Sequence, residues 1–101
     1  MIIIEDEKGS HHEWFTVSEV AKALGLKDIN NRPIGRNKFF ILLRNEKILM
    51  DNNYPYQYYL NLDLVKMHSV VKDFNHTVHI PIFSVRGINY LKNRFNGKVK
   101  A

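Results

Sequence analysis

The sequence predicts an α+β fold of the winged helix-turn-helix type, with about three helices and a β-hairpin wing, and three observations carry that prediction. Two amphipathic helical stretches stand near each other, at 16–24 and 35–46. Two stretches of alternating apolar and polar residues follow, at 64–71 and 77–83, around the polar turn 72–76. A last helical stretch begins at Ser84 and ends the folded part near Phe95.

The first helix has the clearest signals. Thr16 and Glu19 have the spacing of a capping box, and Phe15 is placed to staple onto Val20. Val17, Val20, Ala21 and Leu24 recur at helical spacing, and Gly25 suits the left-handed residue that ends a helix. Residues 27–33 read as a loop, since Asp28, Asn30, Asn31 and Pro33 all oppose helix.

The second helix, from about Arg36 to Asn45, has two faces. Phe39, Leu42 and Leu43 gather on one side with Glu46, and Phe40 lies at the edge. Asn37, Lys38, Ile41, Arg44 and Asn45 fall on the other, a set able to hydrogen-bond phosphates and base edges. Ile41 is the odd member. Touching a thymine methyl, packing on a partner protein and being rolled partly into the core are all open readings.

Ile48–Met50 reads as a brief buried strand or turn. Tyr54–Tyr59 holds four tyrosines and Pro55, and reads either as an extended segment packed on the core edge or as a stacking platform for bases. In the hairpin, Lys66 and His68 alternate with Val65 and Met67, which gives one polar face, and Pro81 points to an edge or a strand end. Ser84 caps the last helix, with Ile88, Leu91 and Phe95 inward and Arg86, Lys92 and Arg94 outward; Gly97 would stop it.

At 101 residues, 45% of them apolar, the chain is one domain with a single core. The reading divides it into a flexible acidic leader at 1–13, in which Ile2–Ile4 could form a short strand that adds to a sheet or a partner, a domain at 14–96 and a basic tail at 97–101. There is no cysteine, which excludes disulfides and thiolate metal sites. No stretch has the length of a membrane span. The net charge of +5 is uneven: residues 1–13 carry one lysine against four acids, −3, and residues 14–101 carry fourteen Lys/Arg against six acids, +8. A basic domain favours a polyanion. His11-His12 is read as a solvated loop in preference to a metal site. The His68, His76 and His79 group lacks a carboxylate pair or a nucleophile motif, so neither an enzyme nor a cofactor is expected.

The block Trp14-Phe15-Thr16-Val17-Ser18-Glu19-Val20-Ala21-Lys22-Ala23-Leu24-Gly25 is followed by Ile34-Gly35-Arg36-Asn37-Lys38-Phe39-Phe40. Then come Arg44–Leu49, Asn53–Gln57 and Ser84–Leu91. In this order the blocks resemble the phage antirepressor C-terminal domain, also called KilAC or ANT, over about residues 14–95. The resemblance implies a DNA-binding regulator of temperate phages that relieves lysogenic repression, working in the bacterial cytoplasm at the host nucleoid. In that family an unrelated N-terminal domain usually precedes this one; here thirteen residues precede the match, and the sequence reads either as a fragment of a longer antirepressor or as a small protein of a mobile element. Two further departures are that 27–33 reads as an insertion and that Ile41 replaces a usually polar residue.

The expected function is therefore binding of double-stranded DNA. Arg36, Asn37, Lys38, Ile41 and Arg44 are expected in the major groove, with Lys22, Lys27, Arg32, Lys66 and Lys72 on phosphates. The second reading is a protein-interaction module that binds a phage repressor or a host protein through the basic and aromatic face. A homodimer through Ile2–Ile4 or the last helix is compatible with either.

Overall fold

A computed structural model describes residues 1–95. The elements run β1 (Ile2–Glu5), β2 (His11–Thr16), α1 (Val17–Leu24), α2 (Arg36–Asn45), α3 (Gln57–Asn61), β3 (Val65–Asp73), β4 (His76–Ser84) and α4 (Val85–Arg94). The strands form one antiparallel sheet in the order β1-β2-β4-β3.

Register explains the core. Val65 lies opposite Phe83, and Phe83 lies opposite Phe15, so these three side chains share one face of the sheet. The helices close over that face. Val20, Phe39, Leu43, Leu91 and Phe95 are all buried there with Phe83 and Val65. The opposite face carries a smaller apolar patch, where Trp14 and Ile82 are buried and the Lys66 ammonium lies 4.5 Å from the centre of the Trp14 ring.

Local chemistry sets the helix ends. Thr16 caps α1 with both hydrogen bonds of the capping box: its hydroxyl accepts from the Glu19 amide at 3.3 Å, and Glu19 Oε1 accepts from the Thr16 amide at 2.9 Å. Gly25, at φ 61°, ends the helix in the left-handed region and donates to the Ala21 carbonyl. Ser84 caps α4 by accepting from the Gly87 amide at 3.0 Å.

The α+β class stands, but the winged helix-turn-helix does not. Strands open the chain, and the β3–β4 hairpin is half of a four-stranded sheet, with β4 interior, where a free two-stranded wing was expected. There are four helices among the described residues. Residues 25–35 separate α1 from α2, where a helix-turn-helix uses a turn of about three or four residues.

Residues 1–13, expected as a flexible leader, supply β1 and the first half of β2. His11, His12 and Glu13 are exposed, so this half-strand lacks the alternation that would have announced it. Pro81 is not on an edge strand. It is accommodated because β2 ends opposite Ile82, leaving β4 a neighbour on one side only at Pro81. The run 54–59 is not wholly extended, since α3 begins at Gln57 and buries Tyr59. The basic tail at 97–101, with Gly97 as a helix stop, lies outside the described residues.

Candidate nucleic-acid interface

α2 is anchored by its apolar side. Phe39, Phe40, Leu42 and Leu43 are buried, and Phe39 meets the Phe95 ring edge-on at 6.3 Å between centroids. Its N-cap is Gly35, in extended geometry, which supplies no side-chain hydrogen bond to the first turn. The opposite side faces solvent, where Arg36, Asn37, Lys38 and Ile41 are exposed and Arg44 is half-buried. Ile41 is 49% exposed, so the helix is not rolled to hide it.

Two of the cations on this face are held in place. The Arg36 guanidinium lies 4.8 Å from the centre of the Phe40 ring, a cation–π contact that restricts its sweep. Arg44 donates from Nη1 to Asn53 Oδ1 at 2.5 Å. Asn53 sits at φ 68° in the turn after Met50, a conformation asparagine tolerates better than most residues. Arg36, Asn37, Phe40, Ile41, Arg44 and Asn53 together line an open hollow of about 270 Å³. Sequence reasoning missed Asn53, because its link to Arg44 exists only once the 51–53 turn folds back on α2.

The 27–33 loop is built on Asp28. Lys27 and Pro33 bridge its neck. The Asp28 Oδ1 accepts from the Asn30 amide at 2.9 Å and the Arg32 amide at 3.0 Å, and Oδ2 accepts from Lys38 Nζ at 3.0 Å. These contacts, the Arg32 amide first and the Lys38 ammonium next, hold the Asp28 carboxyl below its usual range. The loop thereby brings Arg32 beside Arg36, Asn37 and Lys38 around a second open hollow, of about 630 Å³. Lys38 is on the expected face, but its charge is shared with Asp28. Asp28 was also missed as a site residue, although Asp followed two residues on by Asn is a common signal for this kind of side-chain turn.

The remaining expected contacts are dispersed. Lys22 and Lys27 are exposed, on the last turn of α1 and on the loop neck, and neither lines these two hollows. Lys66 stacks on Trp14 and lines a different hollow, of about 490 Å³, with Asp63, Glu13 and Arg86. Lys72 is exposed near the hairpin tip, where Phe74 is 98% exposed. The two hollows therefore gather Arg32, Arg36, Asn37, Lys38, Ile41 and Arg44, while Lys22, Lys27, Lys66 and Lys72 lie outside them.

Two of the five histidines have local partners. His12 Nε2 lies 2.8 Å from Asp6 Oδ2 within the β1–β2 turn, and His79 Nδ1 lies 2.9 Å from Ser69 Oγ across the hairpin. Among the described residues, no group of three or more His, Asp or Glu is arranged to hold a metal, and no helix is long and apolar enough to cross a membrane.

No curated protein and no solved structure matches the chain. A family model does, over residues 6–98, which includes the β1–β2 turn, α2, the hairpin and α4. The chain belongs to the family described as the phage antirepressor protein KilAC domain.

Proposed function

We propose that this antirepressor-family chain binds double-stranded DNA, with α2 as the helix that reads the major groove. The observation that carries the reading is the solvent face of α2. It presents Arg36, Asn37, Ile41 and Arg44 in one strip, α2 contains no acidic residue, and both arginines are pre-oriented by Phe40 and Asn53. A held guanidinium loses less freedom on binding than a free one. Arginine pairs bidentately with guanine and asparagine with adenine, while Ile41 offers the apolar surface that a thymine methyl needs. Arg32 and the uncapped amides of the first turn of α2 serve the phosphates on either side.

Fluorescence anisotropy with a mixed-sequence duplex, titrated across salt, tests this. The native chain should lose affinity steeply as salt rises. Arg36→Ala/Arg44→Ala should flatten the logarithmic slope by about one to two, as fewer counterions are released. On a selected site, Arg44→Ala should cost about 1–3 kcal/mol and relax the preference at one base pair. Absence of binding at low salt would overturn the reading and turn the search towards a phage repressor or host protein as the ligand of this face.

A further inference from the structure

The two edges of the sheet are finished differently. At one edge, β3 carries Lys66 and Lys72 and has a register irregularity between Val71 and Asp73. Lysines and bulges are the usual devices that keep an edge strand from pairing with another chain. At the other edge, β1 has neither. Its residues are Ile2-Ile3-Ile4-Glu5, and its pairing with β2 runs without interruption from Ile2 opposite Trp14 to Glu5 opposite His11. β1 has a neighbour on one side only. Ile3 is 58% exposed, while Ile2 and Ile4, on the Trp14 face, are only half covered.

We propose that β1 is a homodimerisation edge. Two copies of the chain pair β1 against β1, antiparallel, about a two-fold axis at Ile3, which joins their two four-stranded sheets into one. The occupant is a second copy because β1 presents three successive isoleucines that pair with themselves about Ile3. The Ile3-centred register sets Ile2 against Ile4 of the second copy and Ile3 against its own equivalent. Glu5 falls outside these apolar pairs, so no carboxylate faces another directly across the junction. On one face the second copy's Ile4 extends the apolar row begun by Trp14 and Ile2, and cross-strand apolar pairs of this kind are the unit of sheet stabilisation. Pairing by two-fold symmetry uses up both β1 edges, and the β3 edges are blunted, so assembly stops at the dimer. A strand of four residues makes a small interface, which fits a weak, reversible dimer. The proposal goes beyond the DNA reading and does not depend on it.

Sedimentation velocity of the full chain without DNA, from micromolar to millimolar concentration, should show a monomer–dimer equilibrium. Ile3→Glu should weaken it about fivefold by placing two carboxylates across the axis. Because that change also loads β1 itself, a second variant is read in another way. The chain has no cysteine, so Ile3→Cys places one thiol on the axis. Under a copper–phenanthroline oxidant it should form a disulfide dimer much faster than Val71→Cys, whose position on β3 is 72% exposed. Equal cross-linking rates for the two variants, or a native chain that sediments as a monomer at millimolar concentration, would overturn the proposal.

Discussion

At Asp28 one carboxylate serves two amides and one ammonium, and this arrangement ties the loop to α2. Its folded pKa is depressed, so its contribution to stability is complete above the unfolded value and is lost only as pH falls through the lower, folded value. The amides of Asn30 and Arg32 should accordingly stay protected from hydrogen exchange at a pH where a free aspartate is half protonated, and become labile below it. Asp28→Asn keeps an acceptor for the amides and removes the charge that Lys38 answers. It should raise affinity for every duplex alike and steepen the salt slope by about one, measured by the same anisotropy titration. Arg94 has a parallel lesson. The sequence places it on the outer side of α4, yet it donates to Tyr59 Oη at 3.0 Å, Tyr90 Oη at 2.8 Å and the Glu46 carbonyl at 2.8 Å. Burial, opposed by the Arg94 contact, pushes the Tyr59 phenol up. Arg94→Ala should cost about 1–3 kcal/mol in urea unfolding, because it strands polar atoms that burial has taken from water. The Asp28 turn has a local signal, but neither its link to Lys38 nor the role of Arg94 is legible in the chain. Lys38 is ten residues from Asp28 and Arg94 is 48 from Glu46, and only packing brings such partners together.

The elements were legible where one residue type does one job. The capping pair Thr16 and Glu19, the stop at Gly25 and the cap at Ser84 are local chemistry, so α1 and the start of α4 follow from them directly. The apolar run Ile2–Ile4 reads as a short strand without its partner, while β2 and α3 do not announce themselves. β2 begins with three exposed residues, and five residues of α3 are too few to display a helical period after Pro55. The hairpin was readable as two strands, but its place inside a larger sheet depends on β2, and that is why a free wing was expected. Helix α4 meets the sheet through a contact that the sequence hides at Gly87. A methyl group there would lie 2.0 Å from the Leu64 carbonyl oxygen, which is backbone and cannot swing aside. The same carbonyl accepts from the Ser84 amide at 3.1 Å, so it is held in place. Gly87→Ala should therefore destabilise the fold by about 1–3 kcal/mol, despite alanine's better helix propensity, and lower the urea midpoint. An unchanged midpoint would mean that α4 can slide on β3.

Over the whole molecule, charge is divided unevenly among the elements. The acids Glu5, Asp6, Glu7 and Glu13 belong to the β1–β2 hairpin, whose strand β2 pairs with β4 and packs on α1 and α4, whereas the cations of the candidate interface belong to α2 and the loop before it. On the proposed DNA reading, a duplex within a Debye length, roughly 10 Å at moderate salt, would be repelled by the hairpin and attracted by α2. The acidic hairpin would then be an orienting device, contributing nothing to contacts while making encounters through the wrong surface unproductive. Glu5→Gln/Glu7→Gln/Glu13→Gln leaves the Asp6 turn intact and removes three of the four acids. At nanomolar protein, below the range of β1 pairing, this variant should bind mixed-sequence duplex more tightly at low salt while gaining less on a selected site, so the ratio of specific to non-specific affinity falls. Raising the salt should bring the native and variant chains together, because the effect acts through the field and makes no contact. Equal gains on both duplexes would mean that the acidic hairpin merely lowers the total charge and does not steer the approach.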